Sequence, residues 1–303
     1  MRSRMLWPAI VALLFAAFGC GGGAEHRELL IVDLNILHGI GDEGPDSPYE
    51  RMPERIELIA DALAELQPDI VFLQEVLMSG DAGYPDVQSI LLSALGEDYT
   101  AVFGDITGRP IGEGAIGQMT LTRLPVISAE NHHIGGPRSI HRVTVETNFG
   151  PLDLYNAHLE GTGAIFDVSE DAPLTEIENV LAFIQATRTG PTILAGDFNA
   201  EPDDPSIQAM RDAGFVDALA AGGDATCAVA GDPGCTSSTR PLSDNAENRA
   251  QRRIDYIWAL SGEAQALAVE RAALFLNEPG ELADGGLLWA SDHIGVQALL
   301  RLE

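Results

Sequence analysis

Short apolar runs alternate with helical patterns from Leu29 to the end of this chain, and the alternation limits the folds open to it. Residues 70–73 (IVFL) form a short, fully apolar run, which is typical of a buried strand. Residues 53–67 instead place their apolar side chains on one helical face. An alternation of this kind predicts a layered α/β or α+β architecture.

The same patterns predict the individual elements. Helices are predicted over residues 53–67, 86–95 and 174–187, and strands over residues 29–37, 70–73, 119–121, 143–147, 152–156, 192–195, 254–260, 265–274 and 294–302. Residues 217–248 are predicted to be rich in loops. No internal repeat and no Pro/Ser-rich linker occurs after Leu29, so a single domain over residues 28–303 is the simplest organisation.

The N-terminal segment is typical of an export signal. Arg2 and Arg4 precede an apolar run over residues 6–18, which is too short to span a bilayer. The run ends in Ala-Phe-Gly-Cys20, which resembles a bacterial lipoprotein signal. This interpretation makes residues 1–19 a signal peptide, Cys20 the lipidation site and residues 20–27 a flexible tether. The alternative is an ordinary secretory signal that is cleaved near the glycine run. Both predict an exported protein, either a cell-envelope lipoprotein or a secreted protein.

The charge of the chain limits its partners. Asp and Glu total 46 against 17 Lys and Arg, which gives a formal net charge of −29. Proteins that coat nucleic-acid duplexes need several cations to neutralise phosphates, so this charge argues against that class of protein. The same charge attracts divalent cations.

Two cysteines, Cys227 and Cys235, flank a stretch that contains glycine and proline. In an exported protein such a pair is best explained as a disulfide. A metal site is the alternative, but no histidine or third cysteine lies nearby in the sequence.

Polar side chains stand at the ends of several predicted strands, where a rigid scaffold can hold them while loops shape a cleft. They are carboxylates, amides and imidazoles, namely Asn35, Glu75, His158, Asp197, Asn199, Asp292 and His293. Oxygen-rich groups of this kind suit Mg²⁺, Mn²⁺ or Ca²⁺. A zinc site is not indicated, because no Cys/His cluster with zinc-ligand spacing occurs.

Seven short motifs follow one another along the chain. They are residues 34–39 (LNILHG), 68–76 (PDIVFLQEV), 117–126 (GQMTLTRLPV), 156–159 (NAHL), 196–200 (GDFNA), 253–257 (RIDYI) and 291–293 (SDH). The ordered series resembles the endonuclease/exonuclease/phosphatase superfamily, which includes deoxyribonuclease I, exonuclease III and neutral sphingomyelinases. The resemblance implies a four-layer α/β sandwich, in which helices flank two packed, mainly antiparallel sheets.

The resemblance also implies a metal centre. Glu75 is expected to be the chief ligand, with Asn35 and Asp292 close to the same ion, which is Mg²⁺ or Mn²⁺, with Ca²⁺ as a further option. Asp197 and Asn199 are expected to position the attacking water and a phosphate oxygen.

Two histidines and an arginine complete the implied site. His293 is expected to be the general base or a phosphate-contacting cation, oriented by Asp255 through its other ring nitrogen. His158 is expected to face it across the scissile phosphate. Arg138 is expected to reach the phosphate, with Arg142 as the residue that exchanges roles with it.

Single residues also have plain structural explanations. Asp197 and Asn199 fit an Asx turn after a strand, and Asp255 fits an ion pair with Arg252 or Arg253. Gln118 stands where the family commonly has asparagine, which puts substrate positioning in question.

Three functions fit these residues. The first is a phosphodiesterase or phosphatase that acts outside the cytoplasm on a small or lipid-borne phosphate ester. The second is an extracellular nuclease. The third is a surface interaction protein that has kept the fold without turnover. The expected partners are therefore a phosphate-ester substrate (a small molecule, a lipid headgroup or nucleic acid) and, if Cys20 is lipidated, a membrane. A monomer is assumed by default.

Overall fold

The computed structural model of this protein describes residues 27–40, 47, 49–78, 85–105, 115–161 and 172–303. The predicted signal peptide, the lipidation site Cys20 and nearly all of the tether lie outside these residues. The described elements are, in chain order, β1 (Arg27–Asn35), α1 (Met52–Leu66), β2 (Ile70–Met78), α2 (Val87–Leu95), β3 (Thr100–Asp105), β4 (Ala115–Thr122), β5 (Val126–Gly135), β6 (Arg138–Thr147), β7 (Gly150–His158), α3 (Ala172–Thr187), β8 (Thr192–Asp197), α4 (Pro205–Asp212), β9 (Val216–Asp217), α5 (Ala218–Gly222), β10 (Asp255–Leu260), β11 (Leu267–Phe275), β12 (Gly280–Glu281), β13 (Leu287–Leu288) and β14 (Gly295–Leu302).

Two six-stranded sheets form the centre of the molecule. Their strand orders are β11-β14-β1-β2-β4-β3 and β5-β6-β7-β8-β10-β9. Each sheet has one parallel pair, β1 with β2 and β7 with β8, and its other pairs are antiparallel. The carboxyl ends of two parallel neighbours meet at the same sheet edge. Asn35 is thus paired with Gln74 in the first sheet, and His158 with Asp197 in the second.

The strands alternate between two packing layers, as the two-residue period of a strand requires. In β1, Leu29 and Ile31 belong to the apolar core between the sheets, whereas Val32 and Leu34 pack outward under α1 and α2. A third apolar cluster joins the outer face of the second sheet to α3 and α4. The layers therefore run helix, sheet, sheet, helix, which confirms the predicted four-layer sandwich of mainly antiparallel sheets.

Several elements differ from the sequence-based expectation. β3 and β5 were not predicted, and β6 begins at Arg138 instead of residue 143. β5 is an edge strand that is largely exposed, so it lacks the apolar alternation that identifies a half-buried strand. The short helices α4 and α5 were not predicted either. Residues 217–248 are rich in loops as predicted, and the predicted disulfide joins Cys227 to Cys235.

In the described residues, none of the helices combines the length and the apolar character that crossing a bilayer requires.

Candidate active site

Three residues with left-handed backbone angles stand where the predicted polar groups leave their strands. Leu37, Glu75 and Asn199 have φ of 53°, 57° and 49°. Such angles are uncommon outside glycine and cluster at functional sites. Glu75 also lies at a register shift between β2 and β4, and a bulge of this kind can re-aim a side chain.

Asn35 joins the two sheets through its side-chain amide. Its Nδ2 donates to Glu75 Oε1 and to Asp197 Oδ2, each at 3.1 Å, and its Oδ1 accepts a hydrogen bond from the Leu37 backbone. Asn35 therefore holds two carboxylates together from a fully buried position. In this arrangement its oxygen is engaged by the backbone, so its role as a metal ligand stays a prediction.

Glu75 contacts His38, and the charge of Asp292 acts on the same ring. The Oε2 atom of Glu75 accepts a hydrogen bond from the His38 backbone at 3.1 Å and lies 3.8 Å from His38 Nε2. Burial lowers the pKa of His38, and the charges of Glu75 and Asp292 oppose that shift. The Oδ2 atom of Asp292 accepts from Arg240 Nε at 3.0 Å, whereas its buried Oδ1 has no hydrogen-bond partner among the described residues.

These groups fit a hard divalent cation. A buried carboxylate oxygen without a partner is costly unless a ligand satisfies it, and Asp292 Oδ1 is such an atom. Glu75 and Asp292 keep 19% and 14% of their side chains exposed, so an ion can reach them. Carboxylate oxygens are the ligands that Mg²⁺ and Mn²⁺ prefer.

His293 and Asp255 form a buried pair. His293 Nδ1 lies 3.0 Å from both Asp255 oxygens, and its Nε2 lies 3.8 Å from Asp197 Oδ2. Burial alone would lower the pKa of His293, but Asp255 and Asp197 outweigh it and raise that pKa well above its usual value. Burial also raises the pKa of Asp197 to about 7. His293 is therefore held as a cation between two carboxyl groups.

A metal ion could also be bound by Asp197, Asp255 and His293. One ligand atom from each of these residues falls within 4.8 Å of the others. Both oxygens of Asp255 are, however, engaged with His293 Nδ1. A metal here would have to break that pair, so the geometry favours hydrogen bonding within this group and a metal nearer Glu75 and Asp292.

His158 lies near the same oxygen of Asp197 as His293. Its Nε2 lies 3.5 Å from Asp197 Oδ2 and 3.4 Å from Asn199 Nδ2. Burial lowers the pKa of His158 well below its usual value, and the charges of Arg138 and His293 add to the shift. His158 is therefore neutral where His293 is charged, and such a separation of pKa values marks distinct acid–base roles.

The Asx turn that offered a plain explanation for Asp197 and Asn199 is also present. The Asn199 backbone donates to Asp197 Oδ1 at 2.9 Å. That bond leaves Oδ2 facing Asn35 and both histidines, so the turn orients the carboxylate. The alternative explanation of Asp255, an ion pair with Arg252 or Arg253, does not hold, because Arg252 pairs with Glu201 and Arg253 with Asp217.

Arg138 does not present a free cation to the site. Its Nε and Nη2 donate to the two oxygens of Glu160, each at 3.1 Å, and both side chains are largely buried. Arg142 is paired with Asp153 and Glu130, so it does not take over the role. Gln118 donates to the backbone of Ser139. Arg138 could therefore contact a phosphate only if its ion pair with Glu160, which contains two hydrogen bonds, were broken.

Sequence reasoning missed two contributors to this site. Arg240 lies 52 residues before Asp292 in the chain, in a loop without a motif, and yet donates to its carboxylate. Tyr49 stacks on His38 with ring centroids 4.5 Å apart, and the guanidinium of Arg240 lies 5.8 Å from the Tyr49 ring. No pattern in the sequence connects these positions, because the fold alone brings them together.

The comparisons with known proteins agree with this architecture. The model of the endonuclease/exonuclease/phosphatase family matches residues 34–293, a span that runs from the first site motif to His293. The chain belongs to the endonuclease/exonuclease/phosphatase family. Members of this family are divalent-metal-dependent phosphoester hydrolases, and its fold is the sandwich described above. No curated protein sequence matches the chain.

Solved structures share the fold at low sequence identity. A family protein from Leptotrichia buccalis is 17% identical over 90% of this chain and 99% of that chain, with a TM-score of 0.64. One from Bacteroides thetaiotaomicron is 15% identical over 92% and 96%, with a TM-score of 0.68. D. rerio TDP2, solved with a single strand DNA product, is 19% identical over 90% and 98%, with a TM-score of 0.65. At these identities the likeness shows the fold alone.

Proposed function

We propose that this protein is a divalent-metal-dependent phosphodiesterase that acts outside the cytoplasm. The observation that carries the proposal is the arrangement around Asp197, a buried carboxyl group whose Oδ2 atom lies 3.8 Å from the charged His293 and 3.5 Å from the neutral His158. Hydrolysis of a phosphate ester depends on positioning water and stabilising charge, and this arrangement offers groups for both tasks.

The residues divide these tasks as follows. Asp197 accepts a proton from the attacking water, which Asn199 helps to orient, because a carboxyl pKa of about 7 suits a base at neutral pH. The water oxygen bonds to phosphorus as the bond from phosphorus to the leaving-group oxygen breaks, and the released oxygen takes a proton from solvent. His293, held charged by Asp255, stabilises the negative charge that develops on a phosphoryl oxygen. His158, without carrying charge, donates a hydrogen bond from its ring N–H to an oxygen of that phosphate.

Glu75 and Asp292 would hold the divalent ion, with Asn35 beside them. The ion, when bound, supplies Lewis-acid polarisation of the phosphoryl group. Either Mg²⁺ or Mn²⁺ fits this carboxylate set, and Ca²⁺ remains an option.

Location outside the cytoplasm is part of the proposal. It is supported by the basic and apolar character of the first residues and by the disulfide between Cys227 and Cys235, a bond that persists in oxidising compartments. The protein is either anchored through a lipid on Cys20 or secreted without an anchor. Incorporation of a radiolabelled fatty acid into the wild type but not into Cys20→Ser would indicate the anchored form.

The test is hydrolysis of bis-p-nitrophenyl phosphate and p-nitrophenyl phosphate by the purified protein with Mg²⁺, Mn²⁺ or EDTA. We expect metal-dependent release of nitrophenol from the diester, and losses of roughly 10²- to 10⁴-fold in Asp197→Asn and His293→Ala. Asp203→Asn and His132→Ala change exposed residues and serve as matched controls. Equal activity in the site variants and the controls would rule out this centre.

The second candidate function is an extracellular nuclease. The shared fold with D. rerio TDP2, which was solved with a DNA product, supports testing it, whereas the net charge of −29 opposes it. Cleavage of DNA or RNA at a higher kcat/KM than that of any small or lipid diester would favour the nuclease. An interaction protein without turnover would show no metal-dependent cleavage of any substrate.

A further inference from the structure

The site has few cations to receive an anionic substrate. Four acidic side chains meet there: Glu75, Asp197, Asp255 and Asp292. His293 is engaged by Asp255, and Arg138 is paired with Glu160, to whose two oxygens it donates two hydrogen bonds. A phosphate diester that approaches this centre therefore needs a further positive group.

Arg240 is placed to be that group. Its Nε donates to Asp292 Oδ2 at 3.0 Å, and its Nη1 and Nη2 have no hydrogen-bond acceptor among the residues that the structure describes. The side chain remains 35% exposed beside Asp292. A guanidinium has five N–H groups in a planar fork that matches phosphate oxygens, so one bond to Asp292 leaves four donors for a ligand.

The surroundings hold this guanidinium in place. It lies over the Tyr49 ring, which itself stacks on His38, and a cation at this distance from an aromatic ring is attracted to it. A pre-positioned side chain loses less conformational entropy when it binds a ligand.

The backbone that carries Arg240 is tied to the reacting groups. We define the strap as residues 236–240. The Thr236 backbone oxygen accepts from Ile294, its Oγ1 accepts from Asp255 N, and the Thr239 backbone donates to Asp292 O. Arg240 is thus held in register with the segment that supplies Asp292 and His293.

We propose that Arg240, and not Arg138, is the arginine that binds the substrate's phosphate. Its Nε orients Asp292 while its Nη groups donate to non-bridging phosphate oxygens. This inference rests on the proposed function, because it assumes that a phosphate ester enters this site.

The experiment measures the binding of inorganic phosphate to the full chain by calorimetry, at Mn²⁺ concentrations that saturate each variant. We compare the wild type with Arg240→Gln, Arg240→Lys and Arg249→Gln. Arg249 is an exposed arginine further along the same loop, paired only with Glu247 among the described residues, and is the matched control. Saturation with Mn²⁺ separates a contact with phosphate from an effect on the metal through Asp292.

We expect the phosphate Kd to rise about tenfold or more in Arg240→Gln, to rise less in Arg240→Lys, which keeps the charge without the fork, and to stay unchanged in Arg249→Gln. A phosphate Kd in Arg240→Gln within about twofold of the wild type would overturn the proposal, as would wild-type protein that binds no phosphate. Unfolding curves of each variant verify that it is folded. Tight phosphate binding that depends on Arg240 but without turnover of any ester would contradict the proposed function and leave this contact standing.

Discussion

The two histidines that flank Asp197 differ in charge because their surroundings differ. His293 has Asp255 at one ring nitrogen and Asp197 near the other, whereas His158 is buried next to the positive charges of Arg138 and His293. Burial opposes charge on both rings, and only His293 has carboxylates that outweigh it. Burial therefore keeps His158 neutral, with nearby positive charges adding to its effect, whereas Asp255 and Asp197 keep His293 charged.

Replacing Asp255 with asparagine tests this explanation. The variant removes the largest interaction that raises the pKa of His293, so we expect that pKa to fall and hydrolysis to drop by roughly 10²- to 10⁴-fold. NMR titration of the His293 ring measures the shift. A His293 pKa equal to that of the wild type would show that Asp255 does not sustain the charge.

A buried carboxyl group at the edge of the site predicts a pH-dependent stability. Glu176 is 3% exposed, and burial raises its pKa from 4.5 to about 7, against the opposing hydrogen bond from the Glu160 backbone. Because its pKa is higher in the folded state, the contribution of Glu176 is full below about 4.5 and is lost as the pH rises through about 7.

Glu176→Gln keeps the acceptor oxygen and removes the titration. We expect the free energy of unfolding of the wild type, measured with urea at about pH 5 and about pH 8, to fall relative to that of the variant as the pH rises. Parallel pH profiles for the two proteins would show that Glu176 titrates normally in the folded chain.

Most of the polar groups of the site could be predicted from the ordered series of motifs, in which they follow or precede predicted strands. Their pairings could not. The sequence does not indicate that Arg138 is paired with Glu160. It also does not indicate a role for Arg240, because its partner Asp292 is remote in sequence. Ion pairs between distant segments depend on the fold, and local pattern does not contain them.

At the scale of elements, the strands that could be predicted from the sequence are those that are buried. β2 and β8 are almost fully buried, and their apolar runs predicted them. β5 is an exposed edge strand, and it was not predicted because its polar residues lack the apolar pattern of a buried strand. The layered order of the two sheets followed from the family resemblance and not from the strand patterns, since periodicity does not specify which strands pair.

The disulfide between Cys227 and Cys235 is expected to restrain the strap that borders the site. Cys235 directly precedes the strap, whose Thr236 accepts hydrogen bonds from Asp255 and Ile294. The cysteines are 8 residues apart, so we expect a Cys227→Ser/Cys235→Ser variant to lose about 2–3 kcal/mol of stability. Its activity should fall further than the unfolded fraction explains, because the strap is less restrained. Urea unfolding and turnover at a temperature where the variant is folded measure both quantities.

Reduced wild-type protein is the control for that experiment, and it should behave like the double variant. Full activity with unchanged unfolding in both would show that the strap is held by its hydrogen bonds alone.

At the scale of the whole molecule, the acidic surface predicts how substrates of different charge are treated. A net charge of −29 repels a polyanion over distances of about a Debye length, roughly 10 Å at 0.1 M salt. A small diester with a single negative charge feels this repulsion much less. Added salt should therefore help a nucleic-acid substrate, the opposite of its effect on basic proteins that bind DNA.

One measurement tests whether the total charge disfavours a nucleic-acid substrate. We predict that kcat/KM for single-stranded DNA rises between about 20 and about 200 mM NaCl at constant Mn²⁺, while that for bis-p-nitrophenyl phosphate changes little. A fall in DNA cleavage with salt would mean that a local cationic surface overrides the total charge. Arg240→Gln then serves as the control, because loss of the salt effect in that variant would locate the surface at the strap.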